Sequence, residues 1–502
     1  MTDLTTPVAP AADAEADRAL TAAFRTHPAV LDADVLGPVR PVFGQALGAP
    51  DRTACLLPDP EAAALLHRAA ALEAAGRLGR LSWHEPADDL LVAGVSRTET
   101  DFLYREIFTD NAYLRHGITL PDRAVVLDVG ANIGMFTLRA ALASPGARIV
   151  AVEPVAELAA AVALNAELYG LDVTVLNCAL GSVTGESDFT YYPGNSVMSG
   201  RFAHPDEDVE VLRRYLVTGE EATQGPQLGR LAADRMTAEA RRCEVSTLTR
   251  VIAEQRLERI DLLKIDVEKA EAEVLAGIDD ASWSRIDRIA MEVHDLDGRL
   301  KELVSLLRDR GFEVSHDQDP RLVLTPCHNV YAYAPHRPAR QLPPAPPNTA
   351  GRPGGPTLRV LERELRDLAA RNAPGLAVPG RFAVVADLDE ARRTAPTGDG
   401  GSPQLPSGPG TAVLAEIWTD IFGPGTVRPD ANFFALGGNS LTAVRLLAQL
   451  EDRLGEDVLA PDTVFTADNF AEIAAALEAG LPPEESAGTP GGAPHPDRPG
   501  AR

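Results

Sequence analysis

Long hydrophobic runs and paired cysteines are both missing from this sequence. No stretch of about 18 apolar residues occurs, so no membrane-spanning helix is expected. The four cysteines (Cys55, Cys178, Cys243 and Cys327) are scattered without a CxxC pair, which argues against a disulfide framework or a cysteine zinc site. The acidic, alanine-rich N-terminus lacks the basic start and apolar core of a signal peptide. These absences predict a protein of the reducing cytoplasm.

Basic residues are in the minority. The chain has 47 lysines and arginines against 73 aspartates and glutamates, a net charge of −26. A surface of this charge is repelled by nucleic acid and by anionic membranes. We therefore expect no nucleic acid and no membrane among its partners.

Length and proline distribution divide the chain. Its 502 residues, 45% hydrophobic and 24% charged, describe a globular protein of roughly three domains. Two proline-rich stretches, from about Pro335 to Pro356 and from Thr394 to Gly410, lack apolar periodicity and are predicted to be semi-stiff linkers. The tail after Leu481, rich in proline, glycine and glutamate, is predicted to be disordered.

Between about Glu99 and Pro335 strands alternate with helices. The predicted strands are Ala124–Val129, Arg148–Glu153, Val173–Leu176, Ile260–Asp266 and Ile286–Val293, and the predicted helices are Gly134–Ala143, Val155–Leu168 and Lys269–Ala276. This rhythm is typical of a doubly wound parallel sheet. The long excursion from about Gly181 to Glu244 is predicted to be a functional cap.

The strongest ligand signal is VVLDVGANIGMFTL, residues 125–138. A buried strand ends in Asp128, and a loop with Gly130, Asn132 and Gly134 leads into a helix. Glycines let the backbone pass close to a ligand, and the helix N-terminus offers free N–H groups. The next strand, RIVAVEP, ends in Glu153, whose carboxylate is placed to accept hydrogen bonds from both hydroxyls of a ribose.

Two cofactors compete for this pattern. A dinucleotide site would show GxGxxG and hold a pyrophosphate at the helix N-terminus. Here the loop reads GxNxG and has an acid, Asp128, at its mouth. That acid repels a pyrophosphate but suits the cationic methionine portion of S-adenosylmethionine, which we favour over NAD. A glycine-rich turn without a ligand is the remaining alternative.

Together with IDLLKIDVEKAEAEVLAGI (260–278) and ETDFLYREIFTDNAYLRHGI (99–118), these segments resemble the FkbM-like methyltransferases. The resemblance covers about Glu99 to Tyr333 and implies the Rossmann-like class I methyltransferase fold and, commonly, methylation of hydroxyl oxygens. For the cofactor it implies a methionine side lined by Asp128, Gly130, Asn132 and Gly134, a ribose held by Glu153, and an adenine near Asn177.

The chain departs from the pattern of this family at two places. The family usually shows EGAE where this chain has Glu268-Lys269-Ala270-Glu271. It usually shows TLD where this chain has Thr247-Leu248-Thr249. Both departures leave the cofactor elements intact.

Candidate catalytic residues follow two neighbouring strands. Methyl transfer is an in-line displacement that requires alignment and exclusion of water, and a hydroxyl acceptor benefits from a base. Lys264, Asp266 and Glu268 lie at the carboxyl end of one central strand and His294 at the end of the next, where such sheets bind ligands. His294 is the first candidate base, followed by Asp266 or Glu268. An internal ion-pair network and a surface-loop histidine are the alternatives, and no metal site is predicted.

Residues Thr411–Leu477 read as four short amphipathic helices. Ser440 begins the helix that runs to Leu454, directly after a glycine pair, and could simply cap that helix. However, DANFFALGGNSL within this region resembles peptidyl carrier proteins. The resemblance implies that Ser440 receives 4′-phosphopantetheine, whose thiol carries the substrate as a thioester. The acidic surface of the region suits docking on basic patches of partners.

Two further fragments resemble the small C-terminal subdomain of adenylation domains. They are Leu20–Leu36 with Thr53–Pro60, and Thr357–Val385. The methyltransferase would then be inserted within that subdomain, as in interrupted adenylation domains, whereas a plain helix–strand accessory region is the alternative. The large adenylation core is missing, and residues 386–398 contain no lysine where the catalytic one is expected. The chain should therefore not activate an amino acid itself.

These predictions combine into an α/β protein with a doubly wound sheet, a small α+β region and a C-terminal four-helix carrier domain. The predicted boundaries are a disordered N-terminus (1–19), the first part of the adenylation-subdomain-like region (20–62), the methyltransferase (63–335), a linker (336–356), the second part of that region (357–393), a linker (394–410), the carrier domain (411–480) and a disordered tail (481–502).

The predicted activity is S-adenosylmethionine-dependent methylation, on a side-chain hydroxyl, of an aminoacyl or related group carried by Ser440 in nonribosomal peptide biosynthesis. The expected partners are an adenylating enzyme that loads the carrier in trans, a phosphopantetheinyl transferase and downstream synthetase modules. The alternatives left open are a backbone nitrogen as acceptor, a free small molecule as substrate, and a carrier scaffold whose methyltransferase domain is inactive.

Overall fold

A computed structural model describes residues 11–36, 52–205, 208–209, 236–319, 325–335, 355–376, 378–379, 381–394, 407–429, 431–433, 436, 438, 440–455, 458–460, 463–467 and 469–481. Most of the two predicted linkers and of the predicted C-terminal tail lies outside these residues. No helix among the described residues combines the length and the apolar character needed to cross a membrane.

The N-terminal part of the chain is a helix–strand unit. It contains α1 (Ala11–Phe24), β1 (Val30–Leu36), β2 (Thr53–Pro58), α2 (Ala64–Ala74), β3 (Ser82–Ala87), β4 (Leu90–Gly94) and α3 (Arg97–Tyr104). α1 begins at Ala11, inside the segment predicted to be disordered, because its alanine-rich sequence favours a helix and Leu20 and Phe24 are buried. α3 starts where Ser96 Oγ accepts a hydrogen bond from Glu99 N, and it continues into a π-helical turn, Arg105–Thr109.

The central part of the chain is the α/β unit. Its elements are β5 (Val125–Val129), α4 (Met135–Ala143), β6 (Arg148–Val152), α5 (Ala156–Tyr169), β7 (Asp172–Leu176), β8 (Ala179–Leu180), β9 (Gly185–Tyr191), β10 (Glu239–Ser246), α6 (Leu248–Glu254), β11 (Leu262–Ile265), α7 (Glu271–Ala276), α8 (Asp280–Trp283), β12 (Arg288–His294), α9 (Arg299–Asp309), β13 (Glu313–Asp317) and β14 (Cys327–Tyr333).

Seven of these strands form one sheet in the order β13-β14-β12-β11-β5-β6-β7. The strands from β12 to β7 are parallel, and β13 and β14 are antiparallel to their neighbours. Helices cover the parallel strands, which are therefore mostly apolar on both faces. The doubly wound sheet is confirmed, and each predicted strand ends within two residues of the observed one. The chain winds outward from β5 to β7 and returns at β11, so the crevice for a ligand opens between β5 and β11.

The excursion predicted to be a cap contains a second, smaller sheet. Its order is β8-β10-β9, with β9 antiparallel and β8 parallel to β10. A short 3-10 helix, Ser196–Met198, follows β9. Residues 206–207 and 210–235 of this excursion lie outside the described part of the chain.

Segments more than 300 residues apart share a third sheet. The later segment contains α10 (Leu358–Asn372), β15 (Arg381–Val384) and α11 (Leu388–Thr394). β15 pairs in parallel with β2, which pairs antiparallel with β1. The rings of Phe24 and Phe382 pack edge to face, with centroids 5.5 Å apart. The divided adenylation-like subdomain stays a prediction, and this shared sheet gives it a physical basis.

The C-terminal part is helical. It contains α12 (Pro409–Phe422), α13 (Ser440–Leu454), α14 (Thr463–Thr466) and α15 (Phe470–Gly480), the four helices predicted from the sequence. Trp418, fully buried, contacts the rings of Phe433 and Phe470 at centroid distances of 5.8 and 4.9 Å. This aromatic centre holds the small bundle together.

Candidate functional site

A cavity of about 460 Å³ opens at the carboxyl end of the parallel strands. Its wall includes the loop after β5, the ends of β6, β11 and β12, the turn at residues 195–199 of the cap, and one face of α3. Cavities of this size at the switch point of an α/β sheet are where small molecules bind.

The loop after β5 requires its glycine. Gly130 has a φ of 75°, and a Cβ at this position would lie 1.7 Å from the carbonyl oxygen of Asp266. Asn132 follows with a φ of 50° and donates from Nδ2 to Ser196 Oγ at 3.2 Å. The loop therefore packs against the end of β11 and is hydrogen-bonded to the cap. Both Gly130 and Asn132 line the cavity.

Glu153 lies on the cavity wall directly after β6. Its carboxylate accepts hydrogen bonds from Asn132 N at 2.8 Å and from Val155 N at 2.9 Å. Burial raises the pKa of Glu153 to about 7, although these two hydrogen bonds act in the opposite direction. A carboxylate has about four lone-pair sites, so it can accept further hydrogen bonds from hydroxyl groups in the cavity.

Asp128 and Lys264 form a buried layer beneath the loop. Lys264 Nζ donates to Gly130 O at 2.7 Å and lies 3.4 Å from both Asp128 Oδ1 and Asp266 Oδ2. Burial lowers the pKa of Lys264, but Asp266 and Asp128 outweigh it and raise that pKa above its usual value. Among the described residues that line the cavity, neither Asp128 nor Lys264 occurs. The geometry favours the internal ion-pair network over direct contact with a ligand.

Two other predicted cofactor residues also support the site from behind its wall. Gly134 precedes α4 with a φ of 84°, where a Cβ would lie 3.3 Å from Val162 Cα. Asn177 Nδ2 donates to the carbonyl oxygens of Glu153 and Pro154 at 2.9 and 3.0 Å. Their direct contact with a cofactor stays a prediction.

His294 lies on the opposite side of the cavity, buried at the end of β12. Its Nδ1 is 3.0 Å from Glu271 Oε1, and its Nε2 is 3.2 Å from Glu268 Oε2. Burial lowers the pKa of His294, but the two carboxylates outweigh it and raise that pKa well above its usual value. Because both ring nitrogens face carboxylates, the imidazolium form is favoured and a proton from a substrate would find no free nitrogen.

Asp266 and Glu292 stand beside this histidine on the wall. Asp266 Oδ2 accepts a hydrogen bond from Tyr113 OH at 2.8 Å. Burial raises the pKa of Glu292 well above its usual value, and nearby negative charges raise it further. Sequence reasoning missed Glu292, although it stands two residues before His294 on the same face of one strand.

Two groups of side chains could hold a metal ion by their spacing. One is Asp266, Glu268 and Glu292, and the other is Glu292, His294 and Cys327; within each, the ligand atoms lie within 4.8 Å of one another. Carboxylate oxygens of this kind suit Mg²⁺. Each group combines residues from different strands, so spacing along the sequence could not indicate it, and the sequence predicts no metal site.

The departure from EGAE has a structural counterpart. Lys269 occupies the glycine position of that pattern with a φ of 74°, in the left-handed region that favours glycine. Its Nζ lies 2.6 Å from Asp208 Oδ1, and Asp208 Oδ2 accepts a hydrogen bond from Tyr192 OH at 3.0 Å. The lysine thus joins the loop after β11 to the cap.

The carrier domain contributes to the same cavity. Gly438, two residues before the start of α13 at Ser440, is part of its wall. The cavity therefore contacts the loop that precedes the predicted attachment serine. A switch-point cavity with a buried acid after β6 and an acid-rich wall, lined also by a loop of the predicted carrier region, is the arrangement expected of a class I methyltransferase joined to a carrier protein.

Comparison with known proteins agrees with this class. The family described as methyltransferase FkbM domain matches residues 128–314, and the phosphopantetheine attachment site family matches residues 412–477. The chain is 45% identical over 243 residues to 31-O-demethyl-FK506 methyltransferase FkbM of Streptomyces tacrolimicus, covering 48% of this chain and 92% of that protein. The chain belongs to the FkbM methyltransferase family, and it is an S-adenosylmethionine-dependent methyltransferase fused to a carrier domain that bears covalent 4′-phosphopantetheine.

A second relative is similar over more of this chain. The chain is 37% identical over 428 residues to AMB antimetabolite synthetase AmbE of Pseudomonas aeruginosa. The aligned region covers 79% of this chain but only 20% of AmbE. This chain thus spans about a fifth of the length of AmbE. Bacitracin synthase 1 of Bacillus licheniformis is 21% identical over 131 residues. A solved structure, methyltransferase FkbM from Methylobacillus flagellatus, is 16% identical over 46% of this chain and 48% of that one, with a TM-score of 0.27.

The residues of the cavity fit the cofactor of this family. The Glu153 carboxylate on the wall has the chemistry to accept hydrogen bonds from ribose hydroxyls, a role that stays a prediction, and the acid-rich wall suits the positive charge of a sulfonium. The methyltransferase and the carrier stand together in a chain related to nonribosomal peptide synthetases.

Proposed function

We propose that this protein methylates a group carried as a thioester on the phosphopantetheine arm of its own carrier domain, on a side-chain hydroxyl. The group is an aminoacyl or related acyl unit of nonribosomal peptide biosynthesis. The name of the relative FkbM describes an O-methyltransferase, which supports oxygen over nitrogen as the acceptor. The proposal places both halves of the reaction in one chain.

One observation carries this proposal. Gly438 of the carrier loop lines the same cavity as Gly130 and Glu153 on the cofactor side and Asp266 on the acceptor side. An arm attached to Ser440 would enter the cavity at this point. A tethered substrate reaches an effective concentration in the millimolar range for short flexible linkers, so even a weakly bound acceptor would be used.

Side chains at one end of the cavity would bind the cofactor, and those at the other end would act on the acceptor. Glu153 would hold the ribose of S-adenosylmethionine, which supplies the methyl group from its sulfonium. Asp266, oriented by Tyr113, would accept the proton of the acceptor hydroxyl. His294 lies between Glu268 and Glu271. As an imidazolium cation it would hold these two carboxylates in position rather than act as the base.

Other proteins complete the cycle. An adenylating enzyme would load the carrier in trans. A phosphopantetheinyl transferase would attach the arm, and downstream synthetase modules would take up the methylated unit. All four cysteines are free in the structure, which supports work in the cytoplasm.

The test uses the full chain with its carrier loaded. A phosphopantetheinyl transferase and the coenzyme A thioester of a hydroxyl-bearing amino acid, such as serine, charge Ser440. S-adenosylmethionine is then added, and intact-mass and tandem mass spectrometry follow the methyl group. We expect one methyl group on the side-chain oxygen of the tethered unit.

Three results would each contradict part of this proposal. Methyl transfer to nitrogen would reject the hydroxyl acceptor. Equal rates for the same amino acid free in solution and on the arm would show that the carrier does not present the substrate. No transfer to any of a panel of loaded acyl groups, with the cofactor bound, would favour a scaffold with an inactive methyltransferase domain.

A further inference from the structure

One face of α3 and its π-helical extension forms a wall of the cavity. Asp101 and Phe102 each lie three or four residues from both Thr98 and Arg105, so the four share a face of the helix, and all four line the cavity. Gly438 of the carrier loop lines the same cavity. This face is therefore part of the surface along which an arm from the carrier domain would pass.

Arg105 is the exposed cation of this face. Among the described residues on the wall, only Arg105 and Arg201 carry a guanidinium, and Arg201 lies over the ring of Phe202 on the cap. No carboxylate in the described part of the chain lies within ion-pair distance of Arg105. The neighbouring residues of the wall are instead acidic, namely Glu99, Asp101 and Glu106.

The chemistry of the arm determines where its phosphate can lie. Phosphopantetheine is bound to the serine oxygen through its phosphate, while its thiol stands at the far end. Because Ser440 is two residues from Gly438, the phosphate bound to it would stay close to the carrier loop, while the thioester at the far end would reach further into the cavity. A cation that binds the phosphate must therefore stand on the exposed part of the wall, as Arg105 does.

We propose that Arg105 binds the phosphodiester of the phosphopantetheine arm when the carrier presents its substrate. This inference rests on the proposed function. The acidic mouth would repel a phosphate, and Arg105 offsets that repulsion with charge-assisted hydrogen bonds. Recognition of the phosphate would let the enzyme distinguish a carrier-bound unit from the same unit on a smaller thiol.

The experiment compares substrates that contain the phosphate of the arm with substrates that lack it. The full chain with Ser440→Ala, which has an empty carrier, is given seryl-phosphopantetheine and seryl-pantetheine, two thioesters that differ only in the phosphate. In this background kcat/KM for methyl transfer is measured with Arg105 intact, with Arg105→Gln and with Arg97→Gln. Arg97 lies on the same helix, pairs with Asp101 at 3.6 Å and does not line the cavity, so it is the matched control.

We expect the phosphate to raise kcat/KM about tenfold through KM, the effect of one charge-assisted hydrogen bond. That preference should disappear in Arg105→Gln and persist in Arg97→Gln. An unchanged preference in Arg105→Gln overturns the inference. If neither free thioester reacts, single-turnover rates of the loaded chain decide, and equal rates for the Arg105→Gln and Arg97→Gln variants overturn it. Absence of methyl transfer to the loaded wild-type chain instead refutes the proposed function.

Discussion

Lys269 Nζ lies 2.6 Å from Asp208 Oδ1 and joins the loop after β11 to the cap. Asp208 is buried, and Lys269 holds a left-handed backbone conformation with a φ of 74°. The FkbM-like family usually has glycine at this position, and glycine adopts such a φ without strain. The ion pair thus offsets a backbone conformation that is unfavourable for lysine.

The first prediction is that Lys269→Gly changes the stability of the sheet in opposite directions in the natural chain and in an Asp208→Asn variant. Glycine relieves about 1–2 kcal/mol of left-handed strain, whereas breaking a buried ion pair costs about 3–5 kcal/mol. Lys269→Gly should therefore destabilise the sheet in the natural chain and stabilise it in an Asp208→Asn background. Hydrogen exchange of amides in β11 measures this, because it resolves the methyltransferase sheet from the carrier domain.

Lys269→Met supplies the control for that prediction. It removes the charge but keeps the backbone strain, so it should destabilise the natural chain more than Lys269→Gly does. If glycine destabilises both backgrounds equally, the ion pair and the strain do not oppose each other.

The second prediction concerns the pH dependence of cofactor binding. Burial raises the pKa of Glu153 to about 7, so the carboxylate is ionised at higher pH and becomes protonated as the pH falls through that value. Its ionised form is the stronger acceptor for ribose hydroxyls. Affinity for S-adenosylmethionine, measured by calorimetry, should therefore fall as the pH is lowered from about 8 to about 6.

Glu153→Gln removes both the charged acceptor for the ribose hydroxyls and the titration that makes cofactor affinity depend on pH. We expect its affinity at high pH to be about 10- to 100-fold weaker and nearly independent of pH. Glu157→Gln, on α5 and outside the cavity wall, should keep the affinity and the pH dependence of the natural chain. An unchanged affinity in Glu153→Gln would remove Glu153 from the cofactor site.

The third prediction concerns Ser440 at the start of α13. Incubation with coenzyme A and a phosphopantetheinyl transferase should add one phosphopantetheine to the natural chain and to Thr442→Ala, and none to Ser440→Ala. Intact-mass measurement checks this. Even the loss of a helix-capping side chain costs only about 0.5–2 kcal/mol, so the carrier helices should survive a change at the first residue of α13. A mass gain in Ser440→Ala would place the arm elsewhere.

Local signals explain how much of this fold the sequence predicts. The strands of the parallel sheet are short, mostly apolar segments, as at Val125–Val129, which Gly130 follows, so their bounds follow closely from the sequence. Gly130 is required by a backbone approach that allows no Cβ. The four carrier helices likewise follow from apolar spacing.

Contacts between distant segments explain what the sequence does not predict. Tyr113 reaches Asp266 across 153 residues, and Ser196 of the cap reaches Asn132 across 64. Nothing in the pattern of either segment specifies its partner. The same holds for His294, whose residue type suggests a base until the structure places a carboxylate at each ring nitrogen.

The last prediction distinguishes Asp266 from His294 as the proton acceptor. If Asp266 accepts the proton, Asp266→Asn should lower kcat of the loaded chain by about 10²- to 10⁴-fold, the usual contribution of a general base. His294→Gln should lower it less, because it removes a positioning cation and not the base. If neutral His294 were the base, its raised pKa would make kcat rise about tenfold per pH unit above neutrality until that pKa is reached. Single-turnover rates between about pH 6 and pH 9 separate the two cases. A slope of this kind in the natural chain and in Asp266→Asn, lost in His294→Gln, would assign the proton to His294 and overturn the role of Asp266 as the base.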